Sequence, residues 1–289
     1  MSSQQQMILG TSVSFGIESA EEIRDALRAT YSGYTINSEV SDKGIYMTGS
    51  GTNTRTVTIN TGDIGASSFR IWCIGAGGST ISVWTPGFGG GGTYADHDNT
   101  GGNMVCKMGG EQGGWNAYTA GYNGGDSEVA YDGYTMVGEA SSGAGSGTQG
   151  SYTNNFPGTK AGGSGGTGAG SSGRGGHSQY GGGGGAGMNG TQGYAGNAYN
   201  YGGAGAADSG RSSNSMNGAG GSSYGYGCYG CCEGAAYYGC SPGAGYDGGG
   251  GCGADSAAFN TNGNGMIVIQ WGSGIKSVLS SYSSGAQNF

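Results

Sequence analysis

Phe69-Arg70-Ile71-Trp72-Cys73-Ile74-Gly75-Ala76-Gly77-Gly78 and, far downstream, Gly263-Asn264-Gly265-Met266-Ile267-Val268-Ile269-Gln270-Trp271 are the two stretches on which the fold turns. Each is an apolar run of strand length that ends or begins in glycine, the pattern of a buried β-strand bounded by turns. Neither Ser68–Ile74 nor Met266–Trp271 can stand alone in water, so the two are predicted to lie in one sheet. Together they bracket a long glycine-rich excursion.

The excursion has an unusual composition. Of the 289 residues, 74 are glycine and only three are proline, against an average of about 7% glycine in globular proteins. Between Val137 and Ile267 the only Leu, Ile, Val or Phe residues are Phe156 and Phe259, too few for a side-chain core. Residues 141–255 read in three ways. A flexible Gly/Ser linker fits the composition, but the stretch also carries Tyr180, Tyr194, Tyr199, Tyr201, Tyr237 and Tyr238, which a solvated linker does not need. Collagen needs glycine strictly at every third position and abundant proline; the run Gly181 to Gly185 breaks the period. The third reading is a bundle of polyglycine-II strands, extended like polyproline II but keeping every N–H, so that backbones bond several neighbours at once. Ordering each glycine costs about 1–2 kcal/mol and each hydrogen bond returns about 0.5–1.5 kcal/mol. Close packing must supply the rest.

Upstream the chain reads as ordinary protein. Ser19 and Glu22 have capping-box spacing, and Ile23, Ala26, Leu27 and Thr30 recur at helical intervals, predicting a helix over about 19–31. Ile45–Thr48 and Thr54–Asn60 read as strands, and residues 36–74 as one small sheet capped by the helix. The expected organisation is therefore mainly β with an irregular glycine-rich region. It comprises an N-terminal helix-plus-sheet docking section at 1–67, a glycine-rich domain at 68–271 bracketed by strands around a polyglycine-II-like bundle, and a tail at 272–289.

Charge excludes some functions. Only 10% of residues are charged and the net charge is −8, so clustered cations for nucleic acid are missing. No segment approaches the roughly 20 apolar residues of a membrane span, and the start lacks the basic and apolar stretches of a secretory signal. If the protein reaches the outside of a cell, a route other than ordinary secretion is expected to carry it, such as assembly in a cytoplasm followed by lysis.

Motifs for chemistry are weak. Gly75-Ala76-Gly77 is followed by Thr80 where a dinucleotide turn needs glycine, and by no helix. Cys228, Cys231, Cys232 and Cys240 are candidates for a disulfide or a zinc site, with free thiols packing as small hydrophobes the main expectation. Asp96-His97-Asp98 is a candidate cation cluster whose plainer reading is a solvated glycine loop, as for Asp126, Glu128 and Asp132. No catalytic constellation is present in the sequence, and the chain is expected to be neither an enzyme nor a cofactor binder.

The strand Phe69–Ile74 leading into glycine, the long glycine-rich interior and the Ile/Val-rich closing strand ending in Trp271 together resemble the glycine-rich domain of bacteriophage tail proteins, over about residues 68–271. The N-terminal section departs from that pattern. The resemblance implies a virion protein exposed on the particle, a tail-fibre or adhesin component of polyglycine-II type, with loops at one end of the bundle binding a host-surface receptor or glycan. Separately from the resemblance, the N-terminal section is expected to dock to other virion proteins, and homo-oligomers are compatible with this reading. A capsid decoration protein, a fibre-structural protein or an extracellular glycine-rich binding module are the alternatives. Aromatic side chains in turns suit such recognition because they offer large contact area at low entropic cost; the candidates are Trp84, Tyr94, Trp115 and Tyr118 from the earlier loops, with Tyr224, Tyr226 and Tyr229 near the cysteines. Shielding of a glycine bundle is the plainer role for any one of them.

Overall fold

The computed structural model describes residues 19–38, 43–49, 53–77, 88–110, 125–141, 149–166, 200, 264–275 and 277–278. They form a mainly β structure of two antiparallel sheets and one short helix. Helix α1 (Ala20–Thr30) starts where the capping box places it: Ser19 Oγ accepts from the Glu22 N–H at 3.3 Å and donates to the Glu22 carboxylate at 3.0 Å. Ala20, Ile23 and Leu27 form its buried stripe.

The strands are β1 (Thr35–Ser38), β2 (Gly44–Thr48), β3 (Arg55–Asn60), β4 (Ser68–Ile74), β5 (Gly92–Asp98), β6 (Asn103–Met108), β7 (Ser127–Tyr131), β8 (Tyr134–Gly138), β9 (Tyr152–Asn154), β10 (Lys160–Gly163) and β11 (Met266–Trp271). One sheet has the order β1-β2-β11-β4-β5-β10 and the other β3-β6-β7-β8-β9. The two bracketing strands pair directly, Met266 opposite Ile74 and Trp271 opposite Phe69, as their hydrophobicity predicts.

One expectation about the N-terminal section is corrected. Residues 36–74 do not make one sheet: β2 and β4 belong to the six-stranded sheet, whereas β3 pairs with β6 in the other. The segment 61–67 carries the chain from one layer to the other, a step that local alternation cannot reveal. Strands from either side of residue 67 also pair in both sheets, β2 with β11 and β3 with β6. Residues on either side of position 67 thus share one core.

That core is conventional. Inward residues of the six-stranded sheet (Met47, Ile71, Cys73, Ile267, Ile269) meet Val57, Met104, Cys106, Val129 and Met136 of the other, all with 0% exposure. Helix α1 closes one side, where the β1 and β3 edges would otherwise be bare. Arg28 donates to the Ile36 carbonyl at 2.6 Å, Arg24 to Ser38 at 2.8 Å, and the Thr58 N–H to the Tyr31 hydroxyl at 3.0 Å. Arg24 beside Ser38 and Arg28 beside Ile36 make α1 antiparallel to β1, so Ser19 lies at the end where β1 finishes.

Strand connections alternate between the two ends of this sandwich. At one end they are short: 39–43, 61–67, 99–102, 132–133 and 155–159. Asp132 (φ 52°) and Gly133 (φ 78°) form the tight β7–β8 turn, with the paired left-handed residues that a two-residue hairpin needs. At the other end the connections are 49–54, 75–91, 109–126, 139–151 and 164–265, and every one of them carries glycine at its feet.

Candidate functional site

The glycine-bearing end is built differently from the rest. Past the sheet, the strands run on as glycine and approach until backbones touch. A Cβ on Gly75 or Gly138 would collide with backbone of the opposite sheet, and one on Gly109 with the Gly125 carbonyl. None of these three takes a positive φ. Glycine is therefore required at them for the missing Cβ and not for its wider backbone freedom.

Hydrogen bonds follow the approach. Within the sheets the Gly75 N–H donates to Gly91 at 2.8 Å, Gly49 to Gly265 at 2.9 Å and Gly125 to Gly110 at 3.0 Å. Six more backbone bonds among the described residues pass between the sheets: Gly91 to Glu139 (2.9 Å), Gly150 to Gly89 (3.0 Å), Gly165 to Gly150 (3.0 Å), Ala76 to Gly125 (3.2 Å), Ser141 to Ala76 (3.1 Å) and Gly265 to Gly109 (2.7 Å). Face-to-face sheets normally sit about 10 Å apart, a spacing no N–H···O bond can bridge. At this end the two sheets become a single hydrogen-bonded glycine layer, and the layer fixes where each long connection leaves and returns.

By topology Trp84 belongs to the connection 75–91, Trp115 and Tyr118 to 109–126, and Tyr224, Tyr226 and Tyr229 to 164–265, all rooted in the layer. These six residues lie outside the described residues, as do Cys228, Cys231, Cys232 and Cys240 and all of 141–255 except 141, 149–166 and 200. Tyr94 is corrected. It is not in a loop but in β5, 7% exposed, with its ring 5.0 Å from Trp72 and the Arg70 guanidinium 4.8 Å above it.

Asp96, His97 and Asp98 are likewise in β5 and not in a glycine loop. Alternation sends them to opposite faces. Asp96 takes a two-point ion pair from Arg70 on the outer face, at 2.6 and 2.8 Å. His97 turns into the core against Phe69, Tyr131, Tyr134 and Phe156, with ring centroids 5.4–6.5 Å away. Its Nδ1 donates to the Asp98 carbonyl at 2.7 Å, since a carbonyl only accepts, and Nε2 is buried without a partner. Reading histidine as polar hid β5: with His97 counted as apolar, Ala95 and His97 alternate with Tyr94, Asp96 and Asp98.

Cys73 and Cys106 are free and buried on facing sheets. Burial in the apolar core pushes the Cys73 thiol up to about 12, and that of Cys106 upward too. Cys106 shares a register row with Val129 and Met136, two strands or about 10 Å from Met136, whose carbonyl lies 4.0 Å from Cys73 Sγ. Thiols so placed are core packing. Among the described residues no group of three or more His, Cys, Asp or Glu could hold a metal, and no helix is long and apolar enough to cross a membrane.

The layer glycines themselves escaped the sequence reading. Their signal was present as glycine at the end of every second strand turn: Gly49, Gly75, Gly109, Gly138 and Gly163 on leaving, and Gly91, Gly125, Gly150 and Gly265 on returning. Against known proteins, no family model matches the chain and no curated protein matches it.

Proposed function

We propose that the chain is a non-catalytic virion protein of a bacteriophage, a tail-fibre or adhesin component that presents its glycine-rich connections to the host surface. One observation carries the reading: the five connections with glycine at their feet leave the described sandwich at one end, whereas those at the other end are short. A molecule divided in this way gathers its long connections on one side, where a partner can be met. The resemblance of Ser68–Ile74, the glycine-rich interior and Met266–Trp271 to phage tail proteins supports the same assignment. The layer is proposed as the first course of a polyglycine-II-like bundle formed by residues of 68–271, because its strands already bond neighbours in more than one direction without side chains.

Imaging of the intact particle with a label at the N-terminus tests placement. Adsorption to host cells tests purpose, with Trp84, Trp115 and Tyr118 replaced by alanine as one group and Tyr224, Tyr226 and Tyr229 as another. Tyr94 is excluded because its replacement would disturb packing. Normal assembly with lost adsorption is expected. Normal adsorption of both groups would turn the assignment to capsid decoration or fibre structure.

A further inference from the structure

The described arginines are accounted for, with one exception. Arg24 donates to Ser38 and to the Asp25 carboxylate, Arg28 to the Ile36 carbonyl, and Arg70 holds Asp96 at two points. The guanidinium of Arg55 lies 5.0 Å from the centre of the Tyr34 ring and has no hydrogen bond or ion pair, and its Nε is buried without an acceptor. A charged donor left unmade in this way is costly and calls for an explanation.

Strand alternation puts the cation there. Arg55 shares the inward row of β3 with Val57 and Ile59, and its register partner on β6 is the fully buried Met108. The stem therefore covers the end of the core, and the side chain is partly buried at its rim. Arg55 opens β3 directly after connection 49–54, and Tyr34 directly precedes β1, whose Thr35 pairs with Thr48 at the other foot of that connection. Both stand at the glycine-bearing end. The acidic first turn of α1, with Glu21 and Glu22, lies at the opposite one.

The chemistry selects a class of ligand. A guanidinium resting on an aromatic ring keeps its planar edge for hydrogen bonds. A cation is repelled and a neutral hydroxyl takes one N–H at a time, whereas a carboxylate or phosphate accepts from Nε and a terminal nitrogen together. Drawing the head outward onto such a group gives the buried N–H the acceptor it lacks, a gain made only on binding. The net charge of −8 opposes an anion at long range, but at physiological ionic strength it is screened beyond about 8 Å. We propose that Arg55, backed by Tyr34, is a binding site for the carboxylate or phosphate groups of an anionic polysaccharide. The inference rests on the proposed presentation of this end to a host surface, and it names the chemistry met there.

The full chain, labelled with nitrogen-15, is titrated with polygalacturonate, with poly(ribitol phosphate) and with neutral dextran, following the Arg55 Nε–H resonance and the affinity. Saturable binding and a shifted resonance are expected with an anionic polymer and not with dextran; which polymer binds separates carboxylate from phosphate. Arg55→Gln should weaken binding about tenfold or more, the loss of a charge-assisted hydrogen bond, and Arg55→Lys, a charge without the fork, should weaken it less. Lys107→Gln is the control for net charge, since Lys107 faces outward on the adjacent strand beside Glu128, and it should leave the affinity unchanged. If Arg55→Gln does not fold, Arg55→Lys and the resonance carry the test. An equal loss from Lys107→Gln, or an unshifted resonance with both anionic polymers, would overturn the site and leave Arg55 as cover for the core. Adsorption to host cells separates this from the presentation reading. Polymer binding lost in Arg55→Gln, with adsorption unchanged in every variant, supports the site and overturns presentation; adsorption lost in the aromatic variants with an unshifted Arg55 does the reverse.

Discussion

At the short-connection end of the sandwich, Phe69, Tyr131, Tyr134, Phe156 and His97 hold the two sheets a side chain's thickness apart. At the other end the same sheets meet with little more than backbone and serine hydroxyls between them, joined by bonds such as Gly91 to Glu139 and Gly265 to Gly109. Both ends are closely packed, one by filling the gap with side chains and the other by closing it with backbone hydrogen bonds. The difference teaches that a protein interior requires contact density and hydrogen-bond satisfaction, and that large side chains are only the commoner way to reach them.

The comparison can be broken by subtracting at one end and adding at the other. Phe156→Ala removes a fully buried ring from the aromatic end and should cost about 3–5 kcal/mol by urea unfolding. Gly109→Ala adds one methyl against the Gly125 backbone; no rotamer relieves that clash and the Gly265 bond is strained, so the cost should be about 3 kcal/mol, at the upper end of overpacking. If alanine at Gly109 costs under about 1 kcal/mol, the layer is not close-packed and the contrast fails.

Alkaline pH probes the ordinary core between the two ends. An unfolded thiol ionises near 9, whereas buried Cys73 does so only at about 12. Between those values the unfolded state holds fewer protons, so stability falls as pH rises; below 9 both states are protonated and this contribution is constant. One pH unit above 9, each such thiol should cost about 1.4 kcal/mol. Comparing unfolding of the native chain with a Cys73→Ala, Cys106→Ala variant at pH 8 and 10 isolates the effect from tyrosine ionisation. A pH dependence unaltered by the double replacement would mean that the thiols are not sealed in the core.

The smallest effect sharpens the border. Ser127 reaches into the glycine layer, its Oγ accepting from the Gly109 N–H at 3.1 Å. Ser127→Ala leaves that N–H unpaired and should lower stability by about 1–2 kcal/mol. Amide exchange at Gly109 should rise while that at Tyr131 does not. Equal change at both would show that the two ends do not respond independently.

Much of the architecture was legible. Helix α1 announced itself through Ser19, Glu22 and the Ile23–Leu27 stripe, and the pairing of β4 with β11 through two runs too apolar to be separated. Strand β5 was not legible, because Tyr94, Asp96, His97 and Asp98 look like a polar loop until a sheet gives them alternate faces. Of the aromatic residues read as a candidate site, Tyr94 lies in β5 and the other six lie outside the described residues. That the connections to which those six belong share one end of the sandwich was not legible, because it follows from the up-and-down order of strands distant in sequence.

The sequence by itself determined that this protein could not rely on side-chain volume throughout: with so much glycine, and apolar runs only near its ends, the middle of the chain had to find another source of cohesion or remain unpacked. It also determined which strands were hydrophobic enough to form the sheet centre. Only the tertiary structure decided that β2 and β3 part into different layers, that His97 faces inward, and that the sheets collapse onto each other where the glycines gather. The physical reason is that an absent Cβ permits close approach but does not choose the neighbour; that choice is made by strand order and register, which bring the Gly91 N–H within 2.9 Å of the Glu139 carbonyl across 48 residues of chain.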